Sequence, residues 1–151
     1  MSVVAPAARP LVIDSTVLGR LEVPEDSVLT FPVGLPGFEG LRRFALVATA
    51  FAGVHWLQSV EDTGLAFLLA DPFRVVEGYT VELPPGDLAP LGAVDPAAPL
   101  LVLAIAVIEQ GLTATLNLQG PIVLNPATRC GRQVVLADAT WGMGYPAVLG
   151  G

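Results

Sequence analysis

The chain of 151 residues contains no lysine, one cysteine and one histidine. A single cysteine, Cys130, cannot form an internal disulfide, which is usual for proteins of reducing compartments. A zinc site needs three or four histidine, cysteine or carboxylate ligands. Because Cys130 and His55 are the only cysteine and histidine, only a site built from carboxylates is still possible. His55 would have to be the base of a serine hydrolase, yet no G-x-S-x-G elbow is present. We therefore expect no enzyme activity and no cofactor.

Charged side chains are also scarce, and those present are mostly acidic. They make up 14% of the chain, and fourteen acids against seven arginines give a net charge of −7. Nucleic-acid binding requires clustered positive charge, so we expect no direct contact with RNA or DNA. The acidity predicts a basic partner, or alternatively only keeps an apolar domain in solution.

No hydrophobic run is long enough to span a bilayer as a helix. The longest, Leu100 to Ile108, has nine residues, whereas a membrane helix needs about 20. The segment from Met1 to Pro10 lacks a basic start and contains prolines, which is untypical of a signal peptide. We expect a cytoplasmic protein without membrane contact.

The remaining pattern is one of short apolar runs separated by turn residues, which is typical of an all-β protein. We predict a small antiparallel β-barrel-like or sandwich domain with at most one or two short helical turns, the latter at Pro85 to Leu91. Leu100 to Ile108 is predicted as a central strand buried on both faces. The predicted strands are Leu18 to Val23, Val28 to Phe31, Phe44 to Ala48, Val54 to Val60, Leu65 to Ala70, Tyr79 to Leu83, Leu100 to Ile108, Thr113 to Leu118, Pro121 to Leu124 and Gln133 to Leu136.

Two connections carry most of the turn chemistry. Phe31 to Gly40 holds two prolines and three glycines, so it is predicted as an ordered loop with Leu35 and Phe38 anchored in the core. Gly34 and Gly37 are predicted at positive φ or at points of close approach. Asn125 to Gly131 is predicted as a second turn-rich connection, with Cys130 as a turn residue.

Five strings in the sequence resemble, in order, the signature of the FliW family of flagellar assembly factors. The first runs from Leu29 to Glu39 and is similar to TFPxGLPGFE. Two more are the Trp56 to Phe67 segment, WLQSVED followed by LAF, and the Asp71 to Phe73 string DPF. Thr113 to Asn125 and Gly131 to Leu136 complete the set, with Arg132 at a position where the family usually has lysine. The resemblance covers residues 15–138.

The resemblance implies a domain plan and a function. We expect an N-terminal extension at 1–14, a single FliW-like β domain at 15–140 and an irregular C-terminal tail at 141–151. Proteins of this family bind CsrA, a dimeric RNA-binding repressor, and so relieve repression of flagellin translation. They also bind flagellin, in a partner switch. A small-molecule-binding barrel, or a flagellin chaperone without a regulatory role, remains an alternative.

The partner-binding side chains are expected at exposed loops and turns of these strings. Glu61, Asp62 and Asp71 are predicted to form an acidic rim around one hairpin, with Phe73 as an aromatic anchor. Solvated turn acids beside a buried phenylalanine are the alternative interpretation. The complete set of expected partner-binding residues is Phe38, Glu39, Glu61, Asp62, Asp71, Phe73, Asn117 and Arg132.

Overall fold

The computed structural model of the protein describes residues 10–92 and 99–149. Its strands are β1 Pro10–Ser15, β2 Gly19–Pro24, β3 Leu29–Thr30, β4 Arg43–Ala48, β5 Val54–Ser59, β6 Ala66–Ala70, β7 Leu101–Gln110, β8 Thr113–Leu116, β9 Ile122–Asn125, β10 Cys130–Gln133 and β11 Tyr145–Val148. The helical elements are α1 Pro72–Val75, α2 Pro85–Leu88 and two single 3₁₀ turns, Glu25–Ser27 and Ala89–Leu91. The predicted all-β class with short helical turns is confirmed.

Seven strands close into a small barrel in the order β7-β6-β5-β4-β3-β10-β9, with β9 pairing back to β7. All pairs are antiparallel except β3 with β10, which meet in a single parallel bridge between Thr30 and Cys130. The interior is filled by large apolar side chains that are almost completely buried, including Phe31, Phe44 and Leu57. In the part of the chain that the structure describes, these side chains occupy the interior, whereas larger β-barrels enclose a ligand cavity or channel there.

Strand β7 divides its pairing between two neighbours on one edge. Leu101 to Leu103 pair with β9 and close the barrel, whereas Ala106 to Gln110 pair with β8. Strand β11 then adds to β8, so these two strands extend the sheet beyond the barrel. The expectation that Leu100 to Ile108 is buried on both faces is wrong at both ends of β7, because Leu101, Val107 and Ile108 are exposed. At Val107 and Ile108 the strand has left the closed part of the sheet.

The outer face of the barrel is covered by a second apolar layer. Val76 and Tyr79 are buried against Ala104, Ala114 and neighbouring residues of the sheet. Tyr79 to Leu83 was predicted as a strand, and that prediction is wrong. The burial of this segment does alternate along the chain. Alternation indicates only an extended chain with one buried side, and here that side packs on the sheet without strand pairing.

Both ends of the described chain contain a strand that the sequence did not predict. Strand β1 lies in the predicted N-terminal extension 1–14 and forms a hairpin with β2; residues 1–9 lie outside the described residues. Strand β11 falls in the segment predicted as an irregular tail, so that prediction is wrong for Tyr145 to Val148. The prediction of β10 was displaced by three residues, and Cys130 begins the strand instead of lying in a turn.

Candidate protein-interaction surface

The loop from Phe31 to Gly40 is an ordered structure held by its own backbone and by Arg42. Gly34 and Gly37 have φ angles of 68° and 85°, as predicted. The backbone N–H of Gly34 donates to the carbonyl of Phe31 at 2.9 Å, and that of Phe38 donates to Leu35 at 2.7 Å. Consecutive turns of this kind keep the loop compact and fix the direction of its side chains.

Arg42 ties this loop to the strand that follows it. Its Nη1 donates to the carbonyl of Pro32 at 2.6 Å, and its Nε donates to the carbonyl of Glu39 at 3.3 Å. Arg42 is not predicted from the sequence, because an arginine that binds backbone carbonyls leaves no periodic signal.

The loop places Phe38 on the surface and Leu35 in the core. Leu35 is buried, as predicted, whereas 40% of Phe38 stays exposed, so its expected role as a core anchor is wrong. The Phe38 ring packs edge-on against Phe67 of β6, with 5.5 Å between ring centroids. The Phe38 ring is therefore held by its contact with Phe67 on one side and exposed to solvent on the other.

Three carboxylates lie on the Phe31–Gly40 loop or on the β5–β6 turn, which is hydrogen-bonded to the residues after that loop. Glu61 Oε1 accepts hydrogen bonds from the backbone N–H groups of Arg42 at 2.6 Å and Arg43 at 2.8 Å, and these two bonds lower the pKa of Glu61. The pKa of Glu39 is lowered by its own backbone N–H and by that of Gly37. Asp62 follows Glu61 in the β5–β6 turn. We call Phe38, Glu39, Glu61 and Asp62 the Phe38 surface.

The other predicted pair, Asp71 and Phe73, lies at the opposite end of β6. The five residues Ala66–Ala70 separate it from the turn at Asp62, a distance of roughly 17 Å at 3.3 Å per residue. Asp71 caps α1 by accepting from the N–H of Phe73. Phe73 is 52% exposed and its ring lies 5.5 Å from that of Tyr79. A single acidic rim around Phe73 is therefore wrong, since Glu61 and Asp62 lie in the turn at the other end of β6.

Asn117 and Arg132 are held in internal contacts. Asn117 Oδ1 accepts from the N–H of Gly120 at 2.9 Å, so it stabilises the turn before β9. Arg132 Nε donates at 2.7 Å to Oδ1 of Asp87, which lies in α2. Both side chains are half-buried, and Arg132 also lines a surface groove.

Arg132 and Glu39 line the same groove at one end of the barrel. Its volume is about 350 Å³, and its walls are the Phe31–Gly40 loop on one side and β10 with the residues after it on the other. We call this groove, lined by Val33, Gly34, Pro36, Glu39, Asp87, Arg132, Gln133 and Val135, the β10 groove. It adjoins the Phe38 surface through Glu39.

Within residues 10–92 and 99–149, no cluster of three or more histidine, cysteine or carboxylate side chains could hold a metal ion. No helix in that part of the chain is long and apolar enough to cross a membrane. The exposed features are instead aromatic rings, carboxylates and grooves on the outside of a filled barrel, which are the elements of protein–protein contact surfaces.

Comparisons with known proteins agree on one family. The model of the family described as FliW protein matches residues 12–147. A flagellar assembly factor FliW from Natranaerobius thermophilus is 36% identical over 136 residues, covering 89% of this chain and 90% of the relative. The factor from Moorella thermoacetica is 42% identical over 124 residues, covering 78% and 76%.

A crystal structure of the flagellar assembly factor FliW has the same fold. It superimposes with a TM-score of 0.80 at 28% identity, covering 89% of this chain and 94% of that one. The family model begins inside β1 and ends inside β11, so the two strands missed at either end are included in the matched region. The chain belongs to the FliW family of flagellar assembly factors.

Proposed function

We propose that this chain regulates flagellar assembly in the cytoplasm by binding two proteins in turn, the translational repressor CsrA and flagellin. Binding CsrA would relieve repression of flagellin translation, and accumulating flagellin would compete for the factor and release CsrA. Membership of the FliW family over residues 12–147 is the observation that carries the proposal. The small-molecule alternative is less favoured, because the barrel interior is filled by buried side chains.

The Phe38 surface supports a protein-binding role on physical grounds. An aromatic ring that is 40% exposed and backed by Phe67 offers a rigid apolar contact that loses little entropy on binding. The carboxylates of Glu39 and Glu61 are held in place by backbone N–H groups, so their charges have fixed positions. Fixed negative charge beside an aromatic anchor suits a basic partner, such as a protein that binds RNA.

The charge of the whole chain supports antagonism of RNA binding. A body of net charge −7 docked beside an RNA site repels phosphates, and its volume excludes them. Repulsion between charges is screened beyond about 8 Å at physiological salt, so a long-range charge effect should fade as salt rises. Steric or allosteric exclusion should persist, and we expect the persistent kind to dominate.

A titration of RNA into CsrA, with and without this protein at two salt concentrations, tests the regulatory function. We expect lower RNA affinity of CsrA at both salt concentrations, and no measurable binding of RNA by this protein alone. If the RNA affinity of CsrA is unchanged at saturating amounts of this protein, the regulatory function is wrong. Binding of flagellin in the same preparation would then leave a flagellin chaperone.

Charge-neutral variants test the Phe38 surface without breaking its hydrogen bonds. Glu39→Gln, Glu61→Gln and Asp62→Asn retain an acceptor oxygen at each position and together remove three negative charges. We expect at least tenfold weaker binding of CsrA at low salt and a smaller dependence of the affinity on salt.

The matched control removes three charges elsewhere. Glu77→Gln, Glu82→Gln and Glu109→Gln change exposed acids outside the Phe38 surface and give the same net charge. Equal loss of affinity in both triple variants would mean that only net charge matters, and the Phe38 surface would be excluded as the contact site.

A further inference from the structure

One edge of β10 and of the residues that follow it carries backbone groups with no partner strand. The N–H groups of Val134 and Leu136 donate to Pro121 and Gln119 at 2.9 and 2.8 Å. Because backbone groups of successive residues in a strand point to opposite edges, those of Gln133 and Val135 point away from β9. Strand β3 ends at Thr30, opposite Cys130, and the described residues place no other strand beside this edge.

This edge forms one wall of the β10 groove. Gln133 and Val135 both line the groove, and Val33 and Pro36 stand on the other side. Val135 is 67% exposed, so residues 10–92 and 99–149 leave it open to solvent. The groove thus combines unpaired backbone donors and acceptors with apolar side chains on both walls, which is the combination that binds an extended peptide by strand addition.

The free edge of β11 carries a proline, and the β10 edge does not. The N–H of Leu149, just after β11, donates to the carbonyl of Leu112. The N–H positions of residues 146 and 148 therefore point away from β8, and residue 146 is a proline. Proline at a free edge prevents another chain from adding there. The segment from Gly131 to Leu136 contains none.

The charges of the groove indicate what such a peptide would carry. Its walls hold the carboxylates of Glu39 and Asp87 and the guanidinium of Arg132. Arg132 and Asp87 form an ion pair at 2.7 Å, which leaves Glu39 as the charge without a cationic side chain among the groove residues. A lysine or arginine in the bound segment would therefore be favoured near Glu39.

We infer that the β10 groove binds an extended peptide segment of a partner protein by β-strand addition to Gln133 and Val135, with apolar side chains against Val33 and Val135 and a basic residue near Glu39. This site goes beyond the proposed function and does not depend on which protein supplies the segment.

The test selects linear 12-residue peptides from a random displayed library on the full chain and measures their affinity for two proline variants. Val135→Pro removes the outward N–H in the groove. Val148→Pro is the matched control, because Val148 is also 61% exposed and also presents its N–H outward, on the free edge of β11. We expect selected peptides to carry Lys or Arg, to protect the amides of Gln133 and Val135 from hydrogen exchange, and to bind Val135→Pro at least tenfold more weakly than Val148→Pro.

A second measurement stays valid if Val135→Pro does not fold. Methylation of alternate backbone nitrogens of a selected peptide removes its strand hydrogen bonds and leaves the protein unchanged, so we expect at least tenfold weaker binding in one of the two methylation registers. Absence of any enriched peptide, equal affinity for both proline variants, or amide protection elsewhere would overturn the inference. CsrA and flagellin binding, measured on the same variants, would separate this failure from a failure of the proposed function.

Discussion

The two glycines of the Phe31–Gly40 loop have similar backbone angles and different surroundings, so they separate two costs of adding a side chain. A Cβ at Gly34 would lie 2.7 Å from the Cα and 2.8 Å from the carbonyl oxygen of Glu39. A Cβ at Gly37 would have no described heavy atom within 4 Å. Both have positive φ, 68° and 85°, so both alanine variants carry the conformational penalty, and only Gly34→Ala adds a backbone clash.

The magnitudes follow from these two terms. A left-handed backbone costs a residue with a Cβ roughly 1–2 kcal/mol, and forced overpacking adds about 1–3 kcal/mol. We therefore expect Gly37→Ala to lower the free energy of unfolding by about 1–2 kcal/mol and Gly34→Ala by about 2–5 kcal/mol. The loss of unfolded-state entropy that comes with any Gly→Ala change is common to both variants and cancels in the difference.

Urea unfolding followed by fluorescence of Trp56 and Trp141 measures both free energies, and thermal unfolding checks them. The excess loss at Gly34 corresponds to a melting temperature roughly 2–12 °C below that of Gly37→Ala. Equal losses in the two variants would refute the reasoning, because they would mean that the contact of Gly34 with Glu39 contributes nothing.

Three further variants test the interior. Tyr79 donates its hydroxyl to the carbonyl of Leu118 at 2.6 Å, and burial raises its pKa to about 12. Because the folded pKa exceeds the unfolded one, the stability of the wild type should fall as pH rises from about 10 to 12. A pH series of unfolding free energies should show no such fall in Tyr79→Phe. In Gly131→Ala the Cβ would lie 2.6 Å from the ring of Phe31, so urea unfolding should give a loss of about 1–3 kcal/mol, and an unchanged midpoint would contradict this. The buried amide of Gln58 donates to backbone carbonyls next to it, so Gln58→Leu should cost about 1–3 kcal/mol in the same assay, and a neutral result would mean that those carbonyls find other partners.

The sequence predicted those parts of the fold in which a local signal and the tertiary structure agree. Gly34 and Gly37 have the predicted angles because only turn geometry decides them. The strands predicted at Val54 to Val60 and Leu65 to Ala70 are likewise present as β5 and β6, since both are predominantly apolar runs. Tyr79 to Leu83 has the alternation of a strand, but whether an extended segment pairs with a neighbour or lies across a sheet depends on the rest of the chain.

Strands at the edges of the sheet gave the weakest signal. Tyr145–Val148 contains a proline and is flanked by glycines, features that predict a loop. In the structure Pro146 lies where its missing N–H would face away from β8, so the proline is compatible with an edge strand.

The candidate site was predicted residue by residue, but not as an arrangement. Glu61, Asp62 and Asp71 are close in sequence, and the intervening strand carries them to opposite ends of the barrel. The contact between Phe38 and Phe67 joins residues whose proximity depends on the path of the loop, and no periodicity reports it. The β10 groove similarly depends on where β3 stops pairing with β10.

The division of β7 between two neighbours has a consequence for the order of folding. All seven strands of the barrel lie between Leu29 and Gln133, and within the described residues β11 pairs with β8 alone. Domains generally fold from the N-terminal side as synthesis proceeds, so the ring can close before Tyr145–Val148 has been made. The last strand is then added to an edge that already exists. Its amides should exchange with solvent by local detachment of β11, whereas the amides of the ring should exchange only on global unfolding.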